Sequence, residues 1–210
     1  FGIEDDGSSF PEDSATSTAR YDDGKWHYVT GVKTGTSKIE LFVDGVLVAT
    51  DASVSSTATL DNANTLKLGA RYDGTQQFDG WIDDIKLYNY ARTQSQIVED
   101  MNGGHPLGGG PVGSQIGYWK FDEMNGDITN DSSPLDIDGN LSGSTTCPSA
   151  TICPTWSLDG KYGSALYFGG LQNADGDSHV RLTNDTYDVY SEGSISLWFK
   201  PDDAGDTVLQ

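Results

Sequence analysis

Asp23 to Lys33 read DGKWHYVTGVK, and Ile39 to Ala49 read IELFVDGVLVA. In the first stretch Trp26, Tyr28, Thr30 and Val32 fall on one face of an extended chain and His27, Val29 and Gly31 on the other, the period-two alternation of a strand. The second stretch gives two strands, Ile39 to Val43 and Val46 to Ala49, around Asp44-Gly45. Both turn positions tolerate positive φ, which makes this pair the strongest local hairpin signal in the chain. The segments around Leu66 to Ala70 and Trp81 to Tyr88 are read as continuing this meander. At Thr93 the texture changes. Thr93 and Gln96 have the spacing of a capping box, and Ile97, Val98 and Met101 form an apolar stripe, so one helix of about two turns is predicted there.

Beyond it, residues 102–115 (NGGHPLGGGPVGSQ) are rich in Gly and Pro and carry no Asp, Glu, Lys or Arg, the composition of a flexible linker. A second patterned region follows. Ile116 to Phe121 is a strand candidate, Asp122 to Leu141 a polar loop, and Ala165 to Phe168, His179 to Leu182 and Ser194 to Lys200 are further strands. In the last of these Ile195, Leu197 and Phe199 alternate with Ser196, Trp198 and Lys200, which predicts a half-buried strand. At the two ends, Thr207-Val208-Leu209-Gln210 and Phe1-Gly2-Ile3-Glu4 are short and apolar, and each reads as half of a cut strand.

Composition agrees with an all-β chain. Among 210 residues there are 26 Gly, and short strands joined by tight turns need such residues. The formal charge is -20, from 32 acidic against 12 basic residues, and the basic ones are scattered singly. Nucleic acid and membrane insertion are therefore excluded as expectations, since no basic patch and no apolar run of roughly 18 residues exists. An acidic surface either keeps a protein soluble by self-repulsion or gathers divalent cations. The chain opens at Phe1, without an initiator Met, and is read as a mature product or a piece of one.

Cys147 and Cys153 stand in CPSATIC, a short polar loop suited to a local disulfide. A lone pair could also bind metal, but no second pair or suitably spaced His accompanies it. The disulfide reading implies an oxidising, extracellular compartment. Asn130, Asn140 and Asn184 each begin an Asn-x-Ser/Thr sequon, so surface glycosylation is expected on at least one.

Together these motifs resemble laminin-G-like domains of the concanavalin A-like lectin and glucanase superfamily. DDGKWHYVTGV, IELFVDGVLV, LKLGA, FDGWIDDIKLYNYART and SQIVEDM, within residues 1–101, look like the C-terminal half of such a domain. IGYWKFDE, SSPLDIDGNLSG, DGKYGSALYFGG, HVRL and GSISLWFKPDD, within residues 116–210, are similar to its N-terminal half. The resemblance implies an antiparallel jelly-roll β-sandwich with one short helix, its halves in reversed order. One complete sandwich would then run from residue 116 through 210 and on through 1 to 101, as a permuted monomer, one period of a tandem array, or a subunit sharing halves with its neighbours.

The resemblance also implies site residues. In relatives a metal sits between the loop after the YFGG-like segment and the strand resembling WIDDIKL, which carries calcium over to Asp175 and Asp177 with Asp83 and Asp84. Gly170 stands where relatives often have Asp. Glucanases of this architecture place paired carboxylates along one strand, and this chain departs from that pattern. Glu4-Asp5-Asp6, Glu12-Asp13 and Glu99-Asp100 read as solvated charge. His27 reads as strand packing, His105 lies in the linker and His179 begins a strand, so no catalytic set is assembled and no enzyme is expected. Among the aromatics Trp26, Trp119 and Trp198 are expected in the core, with Trp81 and Trp156 the more exposed candidates for stacking on sugars. The leading expectation is a structural or adhesive extracellular glycoprotein, a repeat unit of a surface array or fibril whose partners are copies of itself. The alternative is a carbohydrate-binding module of a secreted glycosidase, with glycans as partners. A cluster of exposed aromatics on one sheet would favour the alternative.

Overall fold

The computed structural model describes residues 2–3, 13–54, 66–70, 77–103, 115–142, 147, 153–169, 178–182 and 192–202. Cut-strand residues 207–210, linker residues 104–114 with His105, and Glu4, Asp5, Asp6 and Glu12 lie outside the described residues.

The chain folds as an all-β antiparallel sandwich. A large sheet contains β3 (His27–Thr34), β4 (Lys38–Val43), β5 (Val46–Asp51), β7 (Asp79–Tyr88), β8 (Gln115–Trp119), β11 (Thr155–Ser157), β12 (Ala165–Gly169) and β14 (Gly193–Pro201). Its order is β11-β12-β7-β14-β3-β4-β5, with β8 also paired to β7. A smaller sheet has the order β6 (Lys67–Leu68), β13 (His179–Leu182), β10 (Gly139–Ser142), β9 (Ile128–Thr129). β1 (Gly2–Ile3) and β2 (Asp13–Ser14) form a two-residue pair. The helix α1 spans Gln94–Gly103.

The hairpin at Asp44-Gly45 forms with φ of 51° and 77° at its two turn residues, the left-handed pair that a tight hairpin needs. The meander expected after it does not continue. β6 leaves for the smaller sheet, where it pairs with β13, and β14 inserts between β7 and β3. Residues on both sides of the Gly/Pro-rich segment thus build one sheet. Sequence alternation fixes which face a strand buries, but not which strand lies beside it, and this insertion is a long-range choice made by packing.

Buried apolar clusters lie on both faces of that sheet. Between the sheets, Ile85, Leu87, Trp119, Phe121, Leu166, Phe168, Val180, Leu182 and Phe199 form the main cluster. On the outer face, Tyr28, Val32, Phe42 and Trp198 pack with Ile97 of α1. β14 is therefore covered on both faces over most of its length, and Trp198 is buried like Phe199. The capping box forms as expected: the Thr93 N–H donates to Gln96 Oε1 at 2.9 Å, and the Gln96 N–H returns to Thr93 Oγ1 at 3.4 Å. The helix has 10 residues, closer to three turns than two, and takes Asn102 and Gly103 from the expected linker. Asp122 to Leu141 is more than a loop, since β9 and the start of β10 lie within it. Gly139 is required there: a Cβ would stand 2.5 Å from Val180 Cγ1.

Cys147 and Cys153 are bonded, with Cα atoms 5.7 Å apart. Both belong to the main core cluster, so the cystine is core material rather than a staple on a polar loop. Closing so short a loop stabilises by about 2 kcal/mol in the chain-entropy model. Replacing both cysteines by serine should cost more than replacing both by alanine, because two hydroxyls would then be buried in an apolar cluster. Urea denaturation of the two double variants checks this; equal midpoints would show that the sulfurs are not in the core.

Candidate functional site

The outer face of the large sheet is covered by α1 over one region and left half-open over another. A single row of side chains crosses the strands of the half-open region. Tyr167 on β12 is the register partner of Trp81 on β7, and Trp81 is in turn the partner of Lys200 on β14. Phe199 pairs with His27, so Trp26 continues the row on the far side of Lys200. All four side chains are half-buried. The rings of Trp81 and Tyr167 lie 4.8 Å apart, and the Lys200 ammonium sits 4.1 Å from the Trp81 ring centre and 5.6 Å from that of Trp26. Cation–π attraction and cross-strand packing hold the row in place.

Polar groups fringe it. The Trp81 indole N–H donates to Ser157 Oγ at 3.1 Å, Lys200 forms an ion pair with exposed Asp159, and the Tyr167 hydroxyl donates to Asp202 at 2.7 Å, with Asp79 3.5 Å away. Burial, followed by the hydrogen bond to Asp202, pushes the Tyr167 phenol above its usual range. It remains a neutral donor.

The next row inward is closed. Tyr162 packs edge-on against Trp198, with Lys161 4.1 Å over the Trp198 ring. Beneath this loop lie Asp83 and Asp84. Between Ser196 and Trp198 the β14–β7 register slips, and Asp84 takes a φ of 52°. The resulting bulge lets Ile82 and Ile85 both face the core. Asp83 is 0 % exposed. One of its oxygens accepts the Tyr162 N–H at 2.9 Å, while Oδ1 has no hydrogen-bond partner. Burial above all, then the charges of Asp84 and Asp122, raise the Asp83 carboxyl to about 7 against the pull of the Tyr162 N–H. Asp84 accepts the Tyr118 hydroxyl at 2.8 Å and is raised too, again by burial first.

The expected calcium ligands are thus only partly in view. Asp83 and Asp84 are sealed and already engaged, Asp175 and Asp177 lie outside the described residues, and among the described residues no three metal-ligating side chains gather. As placed, Asp83 and Asp84 do not present the six to eight oxygens that calcium takes. Of the sequons, Asn130 and Asn140 are exposed, with the Asn130 amide donating to Glu123 at 3.0 Å; Asn184 lies outside the described residues. Two of the acids read as solvated differ from expectation, while His27 packs between Tyr21 and Phe199 and His179 begins β13, as expected. Asp13 is buried, and Asp100 is half-buried and paired with Arg92. His27 bridges Asp44 at 2.8 Å and Asp23 at 3.0 Å, which ties the start of β3 to the hairpin turn. Trp119 and Trp198 are core as expected, but Trp26 is only half-buried. Trp156 packs on the main core and donates to the Gly126 carbonyl at 3.0 Å. Lys200 was missed as a partner of the aromatics; its sole signal was its place on the Trp198 side of the alternation in β14.

A cavity of about 440 Å³ lies on the inner side of the large sheet, between Val29, Leu41, Ile195 and Leu197 and the covering residues Thr16 to Asp22. Its walls on the sheet side are apolar, and Arg20 in the covering segment is paired with Asp22.

Comparison with known proteins finds a family similar to the first part of the chain. The profile of the concanavalin A-like lectin/glucanases superfamily matches residues 1–98. Adhesion G-protein coupled receptor V1 of Danio rerio is 30% identical over 86 residues, 40% of this chain and 1% of the receptor. The chain therefore spans only a small fraction of that relative. No solved structure matches. The alternating strands, the Asp-Gly hairpin and the capped helix of residues 1–98 are accordingly similar to those of the concanavalin A-like lectin/glucanases superfamily.

Proposed function

We propose that the chain is a non-catalytic extracellular adhesive module that binds carbohydrate through the outer face of its large sheet. The family suggests an adhesive or carbohydrate-binding role outside the cell, and the cystine is in keeping with that location. The observation that carries the reading is the registered row Tyr167, Trp81, Lys200, Trp26 with carboxylates at its margin. Aromatic side chains offer apolar surface to the C–H faces of sugars, while nearby carboxylates and amines take their hydroxyls. The same row would serve a module joined to a glycosidase.

Binding of the whole chain to immobilised glycans tests this, with Trp81→Ala and Tyr167→Ala as variants and circular dichroism as the control for folding. Loss of either ring should weaken binding by at least about 10-fold, as truncation of a central aromatic anchor does. Undiminished binding by folded variants would move the site elsewhere.

Assembly into an array is a second reading, favoured by one observation: the large sheet joins strands from both sides of residues 104–114. A neighbouring copy could supply the same registered pairs as the chain itself. Light scattering separates the cases. A mass that grows with concentration supports exchange between copies, and a single-chain mass at all concentrations rules it out.

A further inference from the structure

We propose, resting on the carbohydrate reading above, that the row on the outer face takes an internal stretch of an uncharged polysaccharide, neither a chain end nor an acidic glycan. The first argument is electrostatic. The row holds one ammonium, Lys200, already paired with Asp159, and beside it stand Asp79 and Asp202. With Lys161 over the neighbouring Trp198 ring and the Lys25–Asp23 pair beside Trp26 included, carboxylates still outnumber ammoniums four to three, within a chain whose formal charge is -20. A sulfate or uronate placed there would enter a repulsive field at distances shorter than the Debye length of about 8 Å, where salt screens little. Neutral sugars avoid that repulsion, and their hydroxyls are donors that carboxylates accept through charge-assisted hydrogen bonds.

The second argument is extent. From Tyr167 on β12 to Trp26 beside β3 the row crosses three strand spacings, about 14 Å in all, which is longer than one sugar ring. Its ends are open. The next residue beyond Tyr167 is its partner Thr155, which is exposed, and the residue before Trp26 is exposed Lys25. Nothing bulky stands at Thr155 or Lys25, so a chain can run on past these residues, whereas recognition of a terminus needs a wall to stop it.

The test is titration calorimetry of the whole chain with a neutral oligosaccharide series from monosaccharide to hexasaccharide, and with sulfated and uronate-containing oligosaccharides of the same lengths. Neutral affinity should rise by roughly 10-fold or more from monosaccharide to trisaccharide and then level off, and should be lost in Trp81→Ala. Monosaccharides binding as tightly as hexasaccharides would overturn the internal-chain assignment. Tighter binding of the acidic series, lost in Trp81→Ala, would overturn the uncharged assignment while leaving the carbohydrate function standing. Binding of neither series would overturn both.

Discussion

Trp119→Ala is expected to destabilise the fold by about 3–5 kcal/mol, the cost of emptying a large buried aromatic site. Trp119 is 0 % exposed and sits in the main core cluster. Its indole N–H donates to the Ile137 carbonyl at 3.1 Å, so removal also leaves that carbonyl without its side-chain donor. Its surroundings are shaped to it: a Cβ on Gly117 would stand 2.4 Å from Cη2 of its ring. Gly117 is thus a position where the ring needs the space, and Gly117→Ala should destabilise through the same contact. Chemical denaturation measures both. A Trp119→Ala loss under about 1 kcal/mol would mean that β8 does not pack between the sheets as described.

Asp83→Asn should stabilise the protein at and above neutral pH and change little in acid. The folded-state carboxyl is raised to about 7 from an ordinary 3.8. A raised pKa means that the folded state favours the protonated form. The corresponding stability is fully present below pH 3.8 and is lost as pH rises through about 7. That interval corresponds to roughly 4 kcal/mol at its full extent. Asparagine cannot ionise, yet its side-chain oxygen can still accept the Tyr162 N–H. The stability difference between variant and parent should therefore grow from near zero at low pH to its full size above neutrality. Taking the difference cancels the other carboxylates, which titrate in both proteins. A difference that does not vary with pH would show that Asp83 is not buried in its charged form.

Much of the fold was legible in local sequence. The alternation in Asp23 to Lys33 assigns Tyr28 and Val32 to one face and Val29 to the other, and the structure packs them against different clusters. Asp44-Gly45 and the Thr93/Gln96 pair act within four residues, so their geometry is written where it is used. What escaped is non-local. No pattern within β14 says that it will part β7 from β3. The β7 bulge arises from a register mismatch with β14, so it is invisible in WIDDIKL alone, where Asp83 and Asp84 read as a metal pair rather than a sealed, raised-pKa site. The cysteines lie among Pro, Ser and Thr, yet the fold turns both sulfurs into the core. The site shows the same division. Trp81 was a candidate from its own neighbourhood, but Tyr167, Lys200 and Trp26 join it only because β12, β7, β14 and the residue leading into β3 come side by side.

The central claim is that this row is a carbohydrate-binding surface, and amide shift mapping by NMR during titration with a neutral oligosaccharide tests it most directly. Shifts should concentrate at Trp26, Trp81, Tyr167 and Lys200 and at the side-chain indole N–H signals of Trp26 and Trp81, with Trp119 and the residues of α1 unmoved. Shifts centred instead on Val29, Leu41, Ile195 and Leu197 around the inner cavity, or an unchanged spectrum across all neutral and acidic sugars, would contradict it.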